Sequence, residues 1–201
     1  MKICILDWTT VTSGDIDADI ESTFSYFQEN INDRTRRPTL FDKEVFIEAN
    51  EIIDNRPVGF WHLISLEEKH KFKVLPCVND PNINLCNENC TSGTKQVSIK
   101  YGTENRNICL LRASRLPWIV DIIKLASRDD KSVKVWMKPG NGKQSPKLYL
   151  RYNQYGVDYV LIFSAEKRFY RLISAFPVFF TSEKRDFSKD CEKYSWSYFG
   201  Q

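Results

Sequence analysis

Apolar residues at Ile16, Ile20, Phe24, Phe27 and Ile31 recur every three or four positions, which predicts an amphipathic helix opened by Ser13-Gly14-Asp15, with acids in its first turn. Residues 2–8 read as a short strand ahead of it. A loop through Arg34, Arg36, Arg37 and Pro38 leads to residues 42–54, where Val45, Phe46, Ala49, Ile52 and Ile53 predict a second helix, stopped by Asn55-Arg56-Pro57. Residues 58–65, Val-Gly-Phe-Trp-His-Leu-Ile-Ser, are apolar almost without a break and predict a buried strand.

A polar stretch without periodicity then fills residues 66–104. From Asn107 the pattern turns helical. Ile108, Leu111 and Leu116, followed by Trp118, Ile119, Ile122, Ile123 and Leu125, predict two short helices meeting near Pro117, a residue suited to a first helical turn. Four strand-like runs follow at 132–138, 147–152, 158–164 and 169–176, with turn signals at Pro139-Gly140-Asn141-Gly142, Tyr155-Gly156 and Ala165-Glu166-Lys167. They predict an antiparallel meander, and the polar tail at 183–194 predicts a closing helix.

A chain of 201 residues with 42% apolar content suits one domain. We divide it into an N-terminal strand and helical part (1–57), a Cys-bearing insertion (66–104) and a core of helix plus antiparallel sheet (105–180). The apolar start is short and broken by Asp7, and no later run reaches membrane-spanning length, so a cytoplasmic protein without a membrane partner is expected. In that compartment the six cysteines read as buried thiols or metal ligands in preference to disulfides. His70, Cys77, Cys86 and Cys90 form an acceptable ligand set for a structural zinc, although their spacing matches no common finger; no other cofactor is expected.

Charge is divided unevenly along the chain. Residues 1–94 carry 9 Lys or Arg against 16 Asp or Glu, and residues 95–201 carry 20 against 10, the footprint of a polyanion binder in the second half. Tyr149, Tyr152, Tyr155, Tyr159 and Tyr170 alternate there with Lys147, Arg151, Lys167, Arg168 and Arg171, which offers stacking surfaces amid positive charge for single-stranded RNA. Of these, Arg151, Tyr152, Tyr170 and Arg171 are the expected substrate-binding residues. Gly-rich phosphate loops, paired catalytic carboxylates and a serine-hydrolase elbow are missing from the sequence, so NTPases, glycosidases and esterases gain no support.

His62, within the apolar run that ends at Ser65 and on the same face as Ile64 by alternation, is a candidate proton-transfer group, because a strand near its end can project an imidazole into a cleft. Arg112 and Arg115, three apart on a helix, can together grip a phosphate. Ser174 adds a hydroxyl inside an apolar strand, on the same face as Tyr170 and Leu172 by the two-residue period.

The order Phe60-Trp61-His62-Leu63-Ile64-Ser65, Arg112-Ala113-Ser114-Arg115-Leu116-Pro117-Trp118-Ile119, Asp158-Tyr159-Val160-Leu161-Ile162-Phe163 and Leu172-Ile173-Ser174-Ala175-Phe176-Pro177 resembles the phage- and mobile-element-associated nucleases of the barnase, EndoU, colicin and RelE-like (BECR) superfamily, over roughly residues 58–180. The resemblance implies an α+β fold with N-terminal helices packed on an antiparallel sheet. It also implies metal-independent cleavage of RNA by its own 2′-hydroxyl, leaving a 2′,3′-cyclic phosphate. His62, Arg112, Arg115 and Ser174 would then be the catalytic residues, and Tyr152 and Tyr170 candidates for a second proton transfer. Phe176 stands where that superfamily carries tyrosine. A toxin acting in toxin–antitoxin or anti-phage defence would have RNA as substrate and an antitoxin or immunity protein as partner. The alternative is a non-catalytic RNA- or protein-binding module on the same fold.

Overall fold

The structure, a computed structural model, describes residues 16–67, 96–99 and 104–195. Helix α1 (Ile16–Phe27) carries Asp17 and Asp19 in its first turn, where acids complement the helix dipole, and runs on as a π-helical turn, Gln28–Asn32. Ile20, Phe27 and Ile31 are buried along its predicted stripe.

The chain then departs from the second predicted helix. Residues 42–54 form strand β2 (Lys43–Ile47), which follows the short β1 (Thr39–Leu40), and then β3 (Ile52–Ile53), which pairs with β4 (Arg56–Pro57). Two tight turns decide this. Phe41 and Asp42 lie at φ 49° and 60°, Asp54 and Asn55 at 48° and 59°, and consecutive positive φ values fit two-residue hairpin loops and stop a helix.

Residues 58–64 depart in the opposite sense, forming helix α2 (Val58–Ile64) where a strand was predicted. Val58, Gly59, Phe60, Trp61, Leu63 and Ile64 are all buried, so the run carries no periodic signature by which a strand can be told from an enclosed helix. Gly59 is required there: a Cβ on it would sit 2.5 Å from the Glu48 carbonyl oxygen and 2.7 Å from Ile47 Cγ1. Gly59→Ala is expected to destabilise the fold by about 1–3 kcal/mol in urea unfolding, since backbone must shift to relieve the clash.

Strands also bound the Cys-bearing insertion. Strand β5 (Ser65–Glu67) and β6 (Gln96–Ile99) flank β7 (Glu104–Ile108) in a three-stranded sheet, so residues 107 and 108 are strand where helix was predicted. The two helices then appear as expected: α3 (Leu110–Ala113), a turn, and α4 (Leu116–Ala126) with Pro117 in its first turn. Strands β8 (Val133–Lys138), β9 (Lys147–Gln154), β10 (Val157–Ala165) and β11 (Phe169–Pro177) form the predicted meander, and α5 (Thr181–Lys193) follows as the predicted closing helix.

The main sheet has the order β1-β2-β11-β10-β9-β8; every pairing in it is antiparallel except β2 with β11, which is parallel. The fold is α+β with a mostly antiparallel sheet. On one face Leu148, Leu150, Tyr152, Tyr159, Leu161, Phe163, Tyr170 and Leu172 share a core with α1, α2 and α4. On the other, Trp136, Tyr149 and Val160 meet Phe187 and Cys191 of α5. Trp136 stacks on Tyr149 at 5.0 Å. Among the described residues no helix is long and apolar enough to cross a membrane. The first predicted strand, residues 2–8, lies outside the described residues.

Candidate functional site

Helix α2 ends at Ser65, whose extended backbone (φ −130°, ψ 167°) leaves the last carbonyls of the helix in need of donors. The Ser65 hydroxyl and the Cys109 N–H meet two of them, at Trp61 and Ile64, and two arginines converge on the carbonyl of Ser65 itself. Arg112 Nη1 donates to the Ser65 carbonyl at 3.0 Å, and Arg106 Nη2 donates to the same oxygen at 3.2 Å. Arg106 Nε also donates to Ser65 Oγ at 2.8 Å, and that hydroxyl donates back to the Trp61 carbonyl. The Cys109 N–H closes on the Ile64 carbonyl at 2.8 Å, which fixes the start of α3 against the end of α2.

Arg112 is half-buried, with its guanidinium 5.5 Å from the centre of the Phe176 ring. Among the described residues it has no carboxylate within ion-pair distance. Burial lowers its proton affinity, against the opposing pull of Cys109, Tyr159 and Glu183. Tyr159 packs edge-on against Trp118 at 5.5 Å; burial pushes its phenol far up, with Arg112 and Arg115 drawing it partly back. The end of the sheet that holds Tyr159 and Phe176 therefore carries a cation set among apolar and aromatic groups.

His62 lies in the last turn of α2, three residues before Ser65, and is half-buried on an otherwise enclosed helix. Both α2 and α3 pack against β11, so His62 and Arg112 belong to neighbouring elements over the same strand.

The other expected site residues are placed differently. Arg115 does not share a helical face with Arg112, because α3 stops at Ala113 and Arg115 occupies the cap of α4 with φ −104° and ψ 9°. It is buried, donates from Nη1 to the Leu111 carbonyl at 3.0 Å and Ser114 Oγ at 3.2 Å, and sits 5.0 Å over the Trp118 ring. Ser174 is displaced by a bulge at Ile162/Phe163: Ser174 pairs with Ile162 and Leu172 with Phe163, leaving Ile173 as the extra residue. The hydroxyl thus joins the α5-side row of Ile162, Tyr149 and Trp136, on the face opposite Tyr170 and Leu172.

Tyr152 and Tyr170 are core residues at 0% and 3% exposure, so their faces are closed to bases. Arg151 is also buried, bound to both oxygens of Asp158 at 2.8 and 2.7 Å and to the Lys184 carbonyl and Ser188 Oγ of α5. Of the four expected substrate-binding residues only Arg171 is exposed, with Glu48 and Glu166 at 3.8 and 3.9 Å.

The zinc set His70, Cys77, Cys86 and Cys90 lies outside the described residues. Among the described residues no group of three or more His, Cys, Asp or Glu is placed to hold a metal ion. Sequence reasoning missed Ser65 and Arg106. The one available signal was the first hydroxyl after an apolar run, a position suited to ending a buried helix once that run is read as helical.

The chain matches no known family model, no curated protein and no solved structure.

Proposed function

We propose that the protein is a metal-independent endoribonuclease of the barnase, EndoU, colicin and RelE-like kind, with Arg112 as its phosphate-binding group and His62 as its proton-transfer group. One observation carries the reading: the half-buried Arg112 guanidinium is met only by a carbonyl and an aromatic ring at close range among the described residues. A cation so desolvated gains most from an anion beside it, and a guanidinium matches two phosphate oxygens at once.

In this mechanism His62 accepts the proton of the 2′-hydroxyl as that oxygen bonds to phosphorus. The bond from phosphorus to the 5′-oxygen breaks, and the imidazolium returns its proton to the leaving oxygen. Arg112 stabilises the charge that grows on the non-bridging oxygens. Both transfers fall to His62 because Tyr152 and Tyr170 are interior. A toxin acting in the cytoplasm, held in check by an antitoxin or immunity protein, extends the same proposal.

The second reading, an RNA-binding module without turnover, is favoured by the placement of Ser174 on the α5 side and of Arg115 in the interior, which leaves fewer groups to act on a phosphate. Incubation with end-labelled RNA in EDTA separates the two. The expected result is cleavage to a 2′,3′-cyclic phosphate, reduced by about two to four orders of magnitude in His62→Ala with RNA affinity retained. Products ending in 3′-hydroxyl, or equal cleavage by the mutant, would overturn the assignment, and RNA binding without cleavage would establish the module.

A further inference from the structure

Two loops meet at the end of the sheet remote from Arg112. One joins β8 to β9 and the other β10 to β11. The Ala165 N–H donates to the Pro146 carbonyl at 2.8 Å, and Ser145 Oγ donates to the Glu166 carboxylate at 2.9 Å, which ties the loops together. Ser164 Oγ donates to the same carboxylate at 2.6 Å, and the two hydroxyls hold Glu166 below the usual carboxylate range. Lys43 Nζ adds a bond to the Glu166 carbonyl at 3.3 Å. Gly140 permits the tight fold of the first loop, since a Cβ there would meet the Gln144 carbonyl oxygen at 1.8 Å.

On this fixed base stand Lys143, Lys147, Lys167 and Arg168, all exposed. None of them has a carboxylate within ion-pair distance among the described residues. Lys147 also faces Lys138 directly across the β8–β9 pair, where like charges repel. Asp190 holds Lys138 at 2.7 Å, and Lys147 has no such partner among the described residues. Across β10 the same row continues through Ser164 to Arg171. Folding thus gathers a net positive charge around the Glu166 carboxylate at this edge, an arrangement that a polyanion relieves.

We infer that the two joined loops form a docking platform for the backbone of single-stranded RNA, binding phosphates through Lys143, Lys147, Lys167 and Arg168, apart from Arg112. The inference rests on RNA being the ligand in the proposed function. Between Tyr159, beside Arg112, and Ala165, at the platform, β10 extends roughly 20 Å at about 3.4 Å per residue, so one RNA strand of several nucleotides can engage both.

The test is fluorescence anisotropy with a labelled single-stranded RNA of mixed sequence across a salt series. It compares the wild type, the quadruple variant Lys143→Glu/Lys147→Glu/Lys167→Glu/Arg168→Glu, and a control, Lys124→Glu/Arg128→Glu, altered at exposed cations elsewhere. The quadruple variant is expected to bind at least about tenfold more weakly at low salt, with the salt slope lower by about 0.7 for each phosphate no longer neutralised, and the control to bind as the wild type does. A quadruple Gln variant serves if charge reversal impairs folding. Unchanged affinity and slope, absent wild-type binding, or an equal drop in the control would overturn the platform. The cleavage assay separates this from the nuclease reading: weakened binding in a protein that never cuts RNA upholds the platform alone, and cleavage with unchanged binding in the variant upholds the nuclease alone.

Discussion

Arg112→Ala is expected to lower single-turnover RNA cleavage by about 10²- to 10³-fold, the usual consequence of removing one preorganised charge from a developing oxyanion. Arg112→Lys should recover only part of this, because an ammonium cannot present two parallel donors to a phosphate. The fold should tolerate both changes, since Arg106 still donates to the Ser65 carbonyl. Burial opposes the charged form of Arg112, so an anion bound beside it should stabilise the folded state. Inorganic phosphate is therefore expected to raise Tm in the wild type and not in Arg112→Ala. Unchanged cleavage in Arg112→Ala, together with the same phosphate effect in both proteins, would remove Arg112 from the site.

The largest loss of stability is expected from Asp158→Ala. Arg151 and Asp158 form a bidentate pair with side chains 3% and 6% exposed, clamped between β9, β10 and α5. Deleting the carboxylate leaves a buried guanidinium uncompensated, which costs about 3–5 kcal/mol, a large share of the roughly 5–15 kcal/mol that holds a domain folded. Replacing both residues with Met and Leu should cost much less, because no charge is then left without its partner. Denaturant unfolding measures the difference; equal losses in the single and double variants would show that packing, not charge compensation, holds this corner.

Helix α1 is legible in the sequence because it has one buried and one wet side, so its period is written in Ile20, Phe27 and Ile31. The meander, with β9 and β10 covered on both faces, is legible instead through its turn residues, Gly142 at φ 61° and Tyr155 and Gly156 at 54° and 78°. Residues 58–64 mislead because they are enclosed on nearly every side, and enclosure erases period. Residues 42–54 mislead because Val45, Phe46 and Ala49 mimic helical spacing, while the deciding information lies in two pairs of residues at positive φ.

The site divides along similar lines. Arg112 can be picked out by residue type and neighbourhood. The interior placement of Arg115 and Arg151 depends on which carbonyls and carboxylates the fold brings near them. The face of Ser174 depends on a single extra residue, Ile173, which no alternation rule anticipates.

The parallel pairing of β2 with β11 makes assembly of the domain a late event. Glu44 pairs with Phe169 and Ile47 with Leu172, and the nearby Lys43 to Glu166 bond spans 123 residues of sequence. Such a contact has high loop-closure entropy and cannot form on a ribosome until the meander has been made. Val45 pairs with Tyr170 and the Phe41 ring packs edge-on against the same tyrosine, so both lack that cover until the strand that completes their sheet is made. The six-stranded sheet is therefore complete only once β11 has been made, and a chain that stalls before β11 lacks both the link between β2 and the meander and the ring of Phe176 beside Arg112.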